Sequence, residues 1–203
     1  MLLAVARVGS WAAEERIFTV INASDGLTDN SAQALVCTRT GRMVIATLGN
    51  LNFYNGLSFS NIFVRRENIY ALPNYRGSDV LFFDLRHHLW LKSPMGLACT
   101  DLISEHFVQN VDSVLHDLGC PTPVLDLFSD SGDCLWSLCS DGLYGVEQQR
   151  TYAVLIGRHL QDVDVMGDLL LTFYGPCLVW IEGSDHQPTK PFNHLTARWA
   201  YGV

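Results

Sequence analysis

No apolar run in this 203-residue chain approaches the ~20 residues that a membrane-spanning helix needs. Positive charge is scarce as well: 13 Lys and Arg stand against 21 Asp and Glu, a formal net charge of -8. A nucleic-acid backbone requires a basic face, so the composition argues against that partner, and the missing apolar run against membrane insertion. The six cysteines include no CxxC and no Cys/His ligand spacing. Most of them read as small buried apolar residues, with an oxidised pair left open, and no metal site is expected. Catalytic fingerprints are missing too, with no Gly-x-Ser-x-Gly, no Walker phosphate loop and no dinucleotide glycine pattern. No catalytic residue and no cofactor are therefore assigned.

What the chain does have is apolar material, 48% of its residues, punctuated by 16 glycines. That is the composition of a folded chain. It is organised as a repeat. In "DCLWSLCSDGLYGVE" (133–147), Asp130 lies six residues before Trp136, and Gly142-Leu143 follow it at six and seven. Trp90 stands in the same frame, with Asp84 before it and Gly96-Leu97 after it. In another copy Val44 takes the Trp place and Asn50-Leu51 the Gly-Leu place; in a weaker one Leu171 is followed by Cys177-Leu178. The four reference positions are spaced by 46, 46 and 35 residues.

Each copy has one layout. An apolar strand ("ALVCT", "VLFFDL", "PVLDLF", "DVDVM") leads into a polar turn. A second strand then carries the large reference side chain, and a hairpin loop of four or five residues leads to a third strand opening Gly-Leu. Such runs of Val, Leu, Phe and Trp between Gly/Asp/Ser clusters are strand signals, and short loops force antiparallel hairpins. Glycine before leucine suits a positive φ at the loop exit. A three- or four-stranded sheet recurring every forty-odd residues is the signature of a propeller blade, with the Trp as a wedge between neighbouring blades. The fold class expected is all-β: about four blades of an incomplete ring.

One segment departs from this pattern. Apolar residues at 107, 111, 114, 115 and 118, with Gly119 and Pro121 as stop, predict a short helix near 111–118, capped by Asn110 or Asp112. At the N-terminus, residues 1–12 read either as the remnant of a secretory signal or as an ordinary first strand or frayed end. Residues 13–203 are then the partial propeller.

The stretch "DGLTDNSAQALVCTRTGRMVIATLGNLNFYNGLSF" (25–59) resembles the opening of the two-component regulator propeller family. The likeness rests on Asp25-Gly26-Leu27-Thr28, Asn30, Thr47 and Tyr54-Asn55-Gly56 with Phe59. Leu89-Trp90 with Gly96-Leu97, and Leu135-Trp136 with Gly142-Leu143-Tyr144, carry the later copies, so the match runs from about residue 17 to 182. The chain departs from the family pattern at Val44 and at Lys92-Ser93, where Gly-Thr is usual, and the fourth copy keeps little beyond its apolar pattern.

The resemblance implies the periplasmic sensor region of a hybrid two-component system. In that family two seven-bladed propellers and an immunoglobulin-like domain precede a membrane helix, kinase, receiver and DNA-binding domain. It implies a glycan or oligosaccharide ligand, signalling through domains outside this chain, and apolar blade faces completed by remaining blades or a second copy of the chain. Asn52, Tyr54 and Asn55 are the candidates for contacting sugar hydroxyls. The pair His87-His88 beside Asp84 reads as turn residues, not metal ligands. Two other classes stay open: a propeller enzyme acting on polysaccharide as a lyase or hydrolase, and a non-enzymatic interaction scaffold.

Overall fold

The computed structural model describes residues 20–73, 75, 80–130, 134–147, 150–156, 160–166, 169–174 and 177–182; the signal-like residues 1–12 lie outside them. The first sheet is an antiparallel meander of β1 (Ala34–Cys37), β2 (Met43–Thr47), β3 (Asn50–Tyr54) and β4 (Phe59–Phe63). The second holds β5 (Val80–Phe83), β6 (His88–Ser93), β7 (Gly96–Asp101) and β8 (His106–Phe107). The third holds β9 (Val124–Ser129), β10 (Leu135–Cys139), β11 (Gly142–Glu147) and β12 (Arg150–Ile156). A three-stranded sheet follows: β13 (Leu160–Met166), β14 (Leu169–Tyr174) and β15 (Cys177–Glu182). The chain is all-β, an incomplete set of propeller blades with one short helix.

The repeat is visible in the register. Val44 pairs with Val36 and Phe53, Trp90 with Phe82 and Cys99, and Trp136 with Phe128 and Gly145. In each sheet the reference residue sits three positions before the last pair of the following hairpin: Thr47↔Asn50, Ser93↔Gly96, Cys139↔Gly142 and, for Leu171, Tyr174↔Cys177. The first three of these hairpins are tighter than the sequence predicts, because the ladder runs to a two-residue tip. Gly96 has the expected positive φ of 130°. A Cβ on Gly96 would lie 2.3 Å from the Tyr70 carbonyl oxygen. The fourth strands β4, β8 and β12 complete the four-stranded form of the expected blade, and the last sheet has the three-stranded form.

Alternation along the strands gives the second sheet two buried faces. Val44, Ala46, Leu51 and Phe53 of the first sheet pack on Leu89, Leu91 and Ala98 of the second. The opposite face of the second sheet, with Phe82, Trp90, Leu97 and Cys99, meets Val124, Leu127, Leu135 and Cys139 of the third. The Trp place therefore looks forward to the next sheet, as a wedge should. First strands neighbour first strands, β1 beside β5 and β5 beside β9, the radial order of a propeller.

Between the second and third sheets lies α1 (Val111–Asp117), the helix expected at 111–118. Asn110 caps it by accepting from Ser113 N at 3.2 Å, and Val111 and Leu115 enter the shared core. Cross-sheet polar contacts set the spacing. Tyr70 bridges to Leu97 and its hydroxyl accepts from Val124 N at 2.8 Å. Buried Lys92 donates to Asp126 Oδ1 at 2.9 Å, which accounts for a charge where the family shows glycine. Cys99, Cys120, Cys134 and Cys139 are buried thiols, as expected, but Cys37 is exposed because it lies on the far side of β1.

Candidate functional site

The three residues predicted to meet sugar hydroxyls run from the middle of β3, Asn52, through its last residue, Tyr54, to Asn55 just beyond it. Asn52 is fully buried: its Oδ1 accepts from Thr28 N at 2.9 Å, and its Nδ2 donates to Ile45 O at 3.0 Å and Thr47 Oγ1 at 3.2 Å. It pins the Asp25-Gly26-Leu27-Thr28 segment to the first sheet, helped by Thr28–Thr47 hydroxyl contact at 2.7 Å and by Asn61 Nδ2 donating to Gly26 O at 2.9 Å. Tyr54 stacks on Phe59 at 4.7 Å and donates to Gly56 O at 2.8 Å. Asn55 caps its own turn, accepting from Leu57 N and Ser58 N, both at 2.9 Å. These geometries engage each side chain within the chain itself.

A recess does exist elsewhere. A cleft of about 190 Å³ opens between the first and second sheets, at the end where the β1–β2, β5–β6 and β7–β8 turns meet. Phe53 and Phe83 supply ring surface, and Arg42, Asp84, His87 and Glu105 supply polar groups. The Arg42 guanidinium sits 5.3 Å from the Phe53 ring centre, and its Nη1 pairs with Glu105 Oε1. Its Nε is buried with no hydrogen-bond partner. Among the described residues the positive-φ non-glycine residues are His87 (66°) and Glu105 (54°), and both line this cleft. Left-handed backbone at such residues costs ~1–3 kcal/mol and concentrates where a surface has work to do.

Asp84 forms one wall and is occupied by its own hairpin. Oδ1 accepts from Arg86 N at 2.8 Å and His88 N at 3.0 Å; Oδ2 contacts His88 Nδ1 at 2.8 Å and accepts from Trp90 Nε1 at 2.9 Å. Burial pushes this carboxyl up, and the bonds from His88 and Trp90 more than reverse that, holding it below the usual carboxylate value. The Asp–Trp bond belongs to the repeat, since Asp130 accepts from Trp136 Nε1 at 3.0 Å in the same way, whereas Cys134 stands where the second copy has His88. Of the cleft residues, sequence reading singled out Asp84 and His87 but missed Arg42, Phe53 and Glu105. Arg42 and Glu105 come from different repeats, and no local pattern links them.

No family model matches this sequence, and no curated protein matches it. Among solved structures the chain is similar to one described as the extracellular domain of a hybrid two-component system from B. thetaiotaomicron. Identity is 13% and the TM-score 0.44, over 77% of this chain and 24% of that one. Another from that organism, described in the same terms, gives 17% identity and a TM-score of 0.43 over 78% of this chain and 24% of that one. Virginiamycin B lyase from Staphylococcus aureus gives 8% identity and a TM-score of 0.40, over 78% of this chain and 58% of that one. The likeness is one of fold alone. The chain spans about a quarter of the length of the two extracellular domains.

Proposed function

We propose that this chain is a ligand-sensing segment of an extracytoplasmic propeller, part of a hybrid two-component sensor that responds to a glycan or its breakdown product. The observation that carries the reading is the docked opening segment. Asp25-Gly26-Leu27-Thr28 and Thr47, quoted above for their resemblance to that family, form one hydrogen-bonded unit with Asn52 on the first sheet. Chance resemblance of scattered residues does not require them to share a network. In this reading the role is binding without catalysis, a view supported by the engagement of both Asp84 oxygens inside the repeat.

Sensing in this arrangement is a change of contacts between blades. The far side of the first sheet exposes Leu35 at 58% and Phe63 at 62%. Remaining blades of a parent protein, or a second copy of this chain, would cover them. Signalling would run through kinase and regulator domains outside this segment. A panel of oligosaccharides titrated into the purified chain tests the reading, with thermal melting as readout. Saturable stabilisation by one oligosaccharide class is expected. No response to any of them, or release of cleaved product from a polysaccharide, would count against it, the latter in favour of the enzyme.

A further inference from the structure

We propose that the cleft between the first two sheets binds a small carboxylate-bearing ligand, held by the Arg42 guanidinium with its body against Phe53 and Phe83, and that Glu105 competes for the same cation. The inference deepens the sensing reading and rests on it. Size comes first. At about 190 Å³ the cleft is smaller than the ~300–1,000 Å³ typical of drug-sized ligands, so its occupant is about one ring in size.

Chemistry selects the anion. A guanidinium recognises carboxylates through two adjacent N–H groups at once. Glu105 uses one oxygen on Nη1, while the buried Nε has no acceptor, so the fork is only half engaged. The other buried side-chain polar atom without a partner among the described residues is Thr100 Oγ1, on the second sheet two residues beyond Ala98, whose face packs on the first sheet. Asp84 does not compete for a cation or repel strongly, because four donors already surround its carboxylate. His87 and Glu105, the two strained residues, hold the rim from separate turns. Glu105 then resembles an internal stand-in for the ligand's own carboxylate, and an arriving carboxylate meets it as a like charge.

Calorimetric titration of the purified chain with glucuronate, galacturonate and benzoate, each beside glucose, galactose or benzyl alcohol, tests this. At least one acid should bind about tenfold or more tightly than its neutral counterpart. Arg42→Lys, which keeps charge and stem but not the fork, should lose about tenfold; Glu105→Gln should gain a few fold, about what a part-exposed ion pair is worth. Melting curves of both variants verify folding, and Arg42→Gln serves if Arg42→Lys does not fold. The proposal is overturned if no acid binds, if acid and neutral partner bind alike, if Arg42 variants bind unchanged, or if Glu105→Gln binds more weakly. Oligosaccharide binding that survives Arg42→Lys would overturn the cleft alone and leave the sensing reading standing.

Discussion

The indole nitrogen of Trp90 donates to Asp84 Oδ2 at 2.9 Å, and one sheet further on Trp136 repeats the bond to Asp130 at 3.0 Å. The same aspartates close the turn before the Trp strand: Asp84 N donates to His88 O at 3.2 Å and Asp130 N to Cys134 O at 3.1 Å. Where the first copy carries Val44 instead of Trp, Thr38 stands in the Asp place. Its hydroxyl still accepts from Arg42 N at 3.0 Å, so the turn survives while the indole acceptor is gone. Wedge and acceptor are present or absent together, since a buried indole N–H without a partner is expensive.

Replacing that acceptor should be costly. Asp84→Ala strands the Trp90 indole and two backbone N–H groups, and the expected loss is about 3 kcal/mol in urea denaturation. Asp84→Asn keeps one acceptor oxygen, which serves the backbone N–H groups or the indole but not both, and should lose about half as much. A loss below ~0.5 kcal/mol for Asp84→Ala would show that water replaces the carboxylate.

Acid should weaken the fold through the same group. Asp84 is held below its ordinary value, so between the folded and unfolded values the unfolded chain binds more protons. The stability it contributes is complete above the unfolded value, ~3.9, and is lost as the pH falls through the folded one. Asp101, lowered by the Ser104 and Ile103 backbone N–H groups, acts in the same direction. Urea midpoints should fall on acidification below about pH 4, less steeply for Asp84→Asn than for the wild type. Equal slopes would remove Asp84 from the account.

Asn52 should act as the rivet of the opening segment. Asn52→Ala removes three hydrogen bonds from a buried site, and about 2 kcal/mol of stability should go with them. Thr28 loses its tether, so limited proteolysis should cut within residues 22–30 of the variant before the sheets are attacked. Cleavage at wild-type rate would mean that Leu27 and Asn61 hold the segment without it.

Relieving strain should stabilise the chain. His87→Gly frees a residue held at φ 66° on an exposed turn. The expected gain is about 1 kcal/mol, read as a higher urea midpoint. A lower midpoint would mean that the His87 side chain carries contacts worth more than the strain.

The repeat was legible because spacing is a one-dimensional property. Asp84, Trp90 and Gly96-Leu97 recur at the offsets of Asp130, Trp136 and Gly142-Leu143, and these offsets reflect strand length and turn size within one sheet. The helix at Val111–Asp117 could be read for the same reason, from apolar period, cap and stop. Hairpin tips were misjudged because residues such as Lys92 and Ser93 look like loop but are drawn into the ladder by burial against the third sheet.

Local order, the blades and their sequence was therefore determined by the chain's own periodicity. Which polar groups meet was decided only by stacking. Asn52 looked like a surface amide until Thr28, from the segment preceding β1, closed over it. Arg42 and Glu105 face each other solely because the first sheet packs on the second, bringing a β1–β2 turn against a β7–β8 turn. Contacts within a sheet follow from neighbours in sequence; contacts between sheets depend on a packing geometry that no single repeat contains.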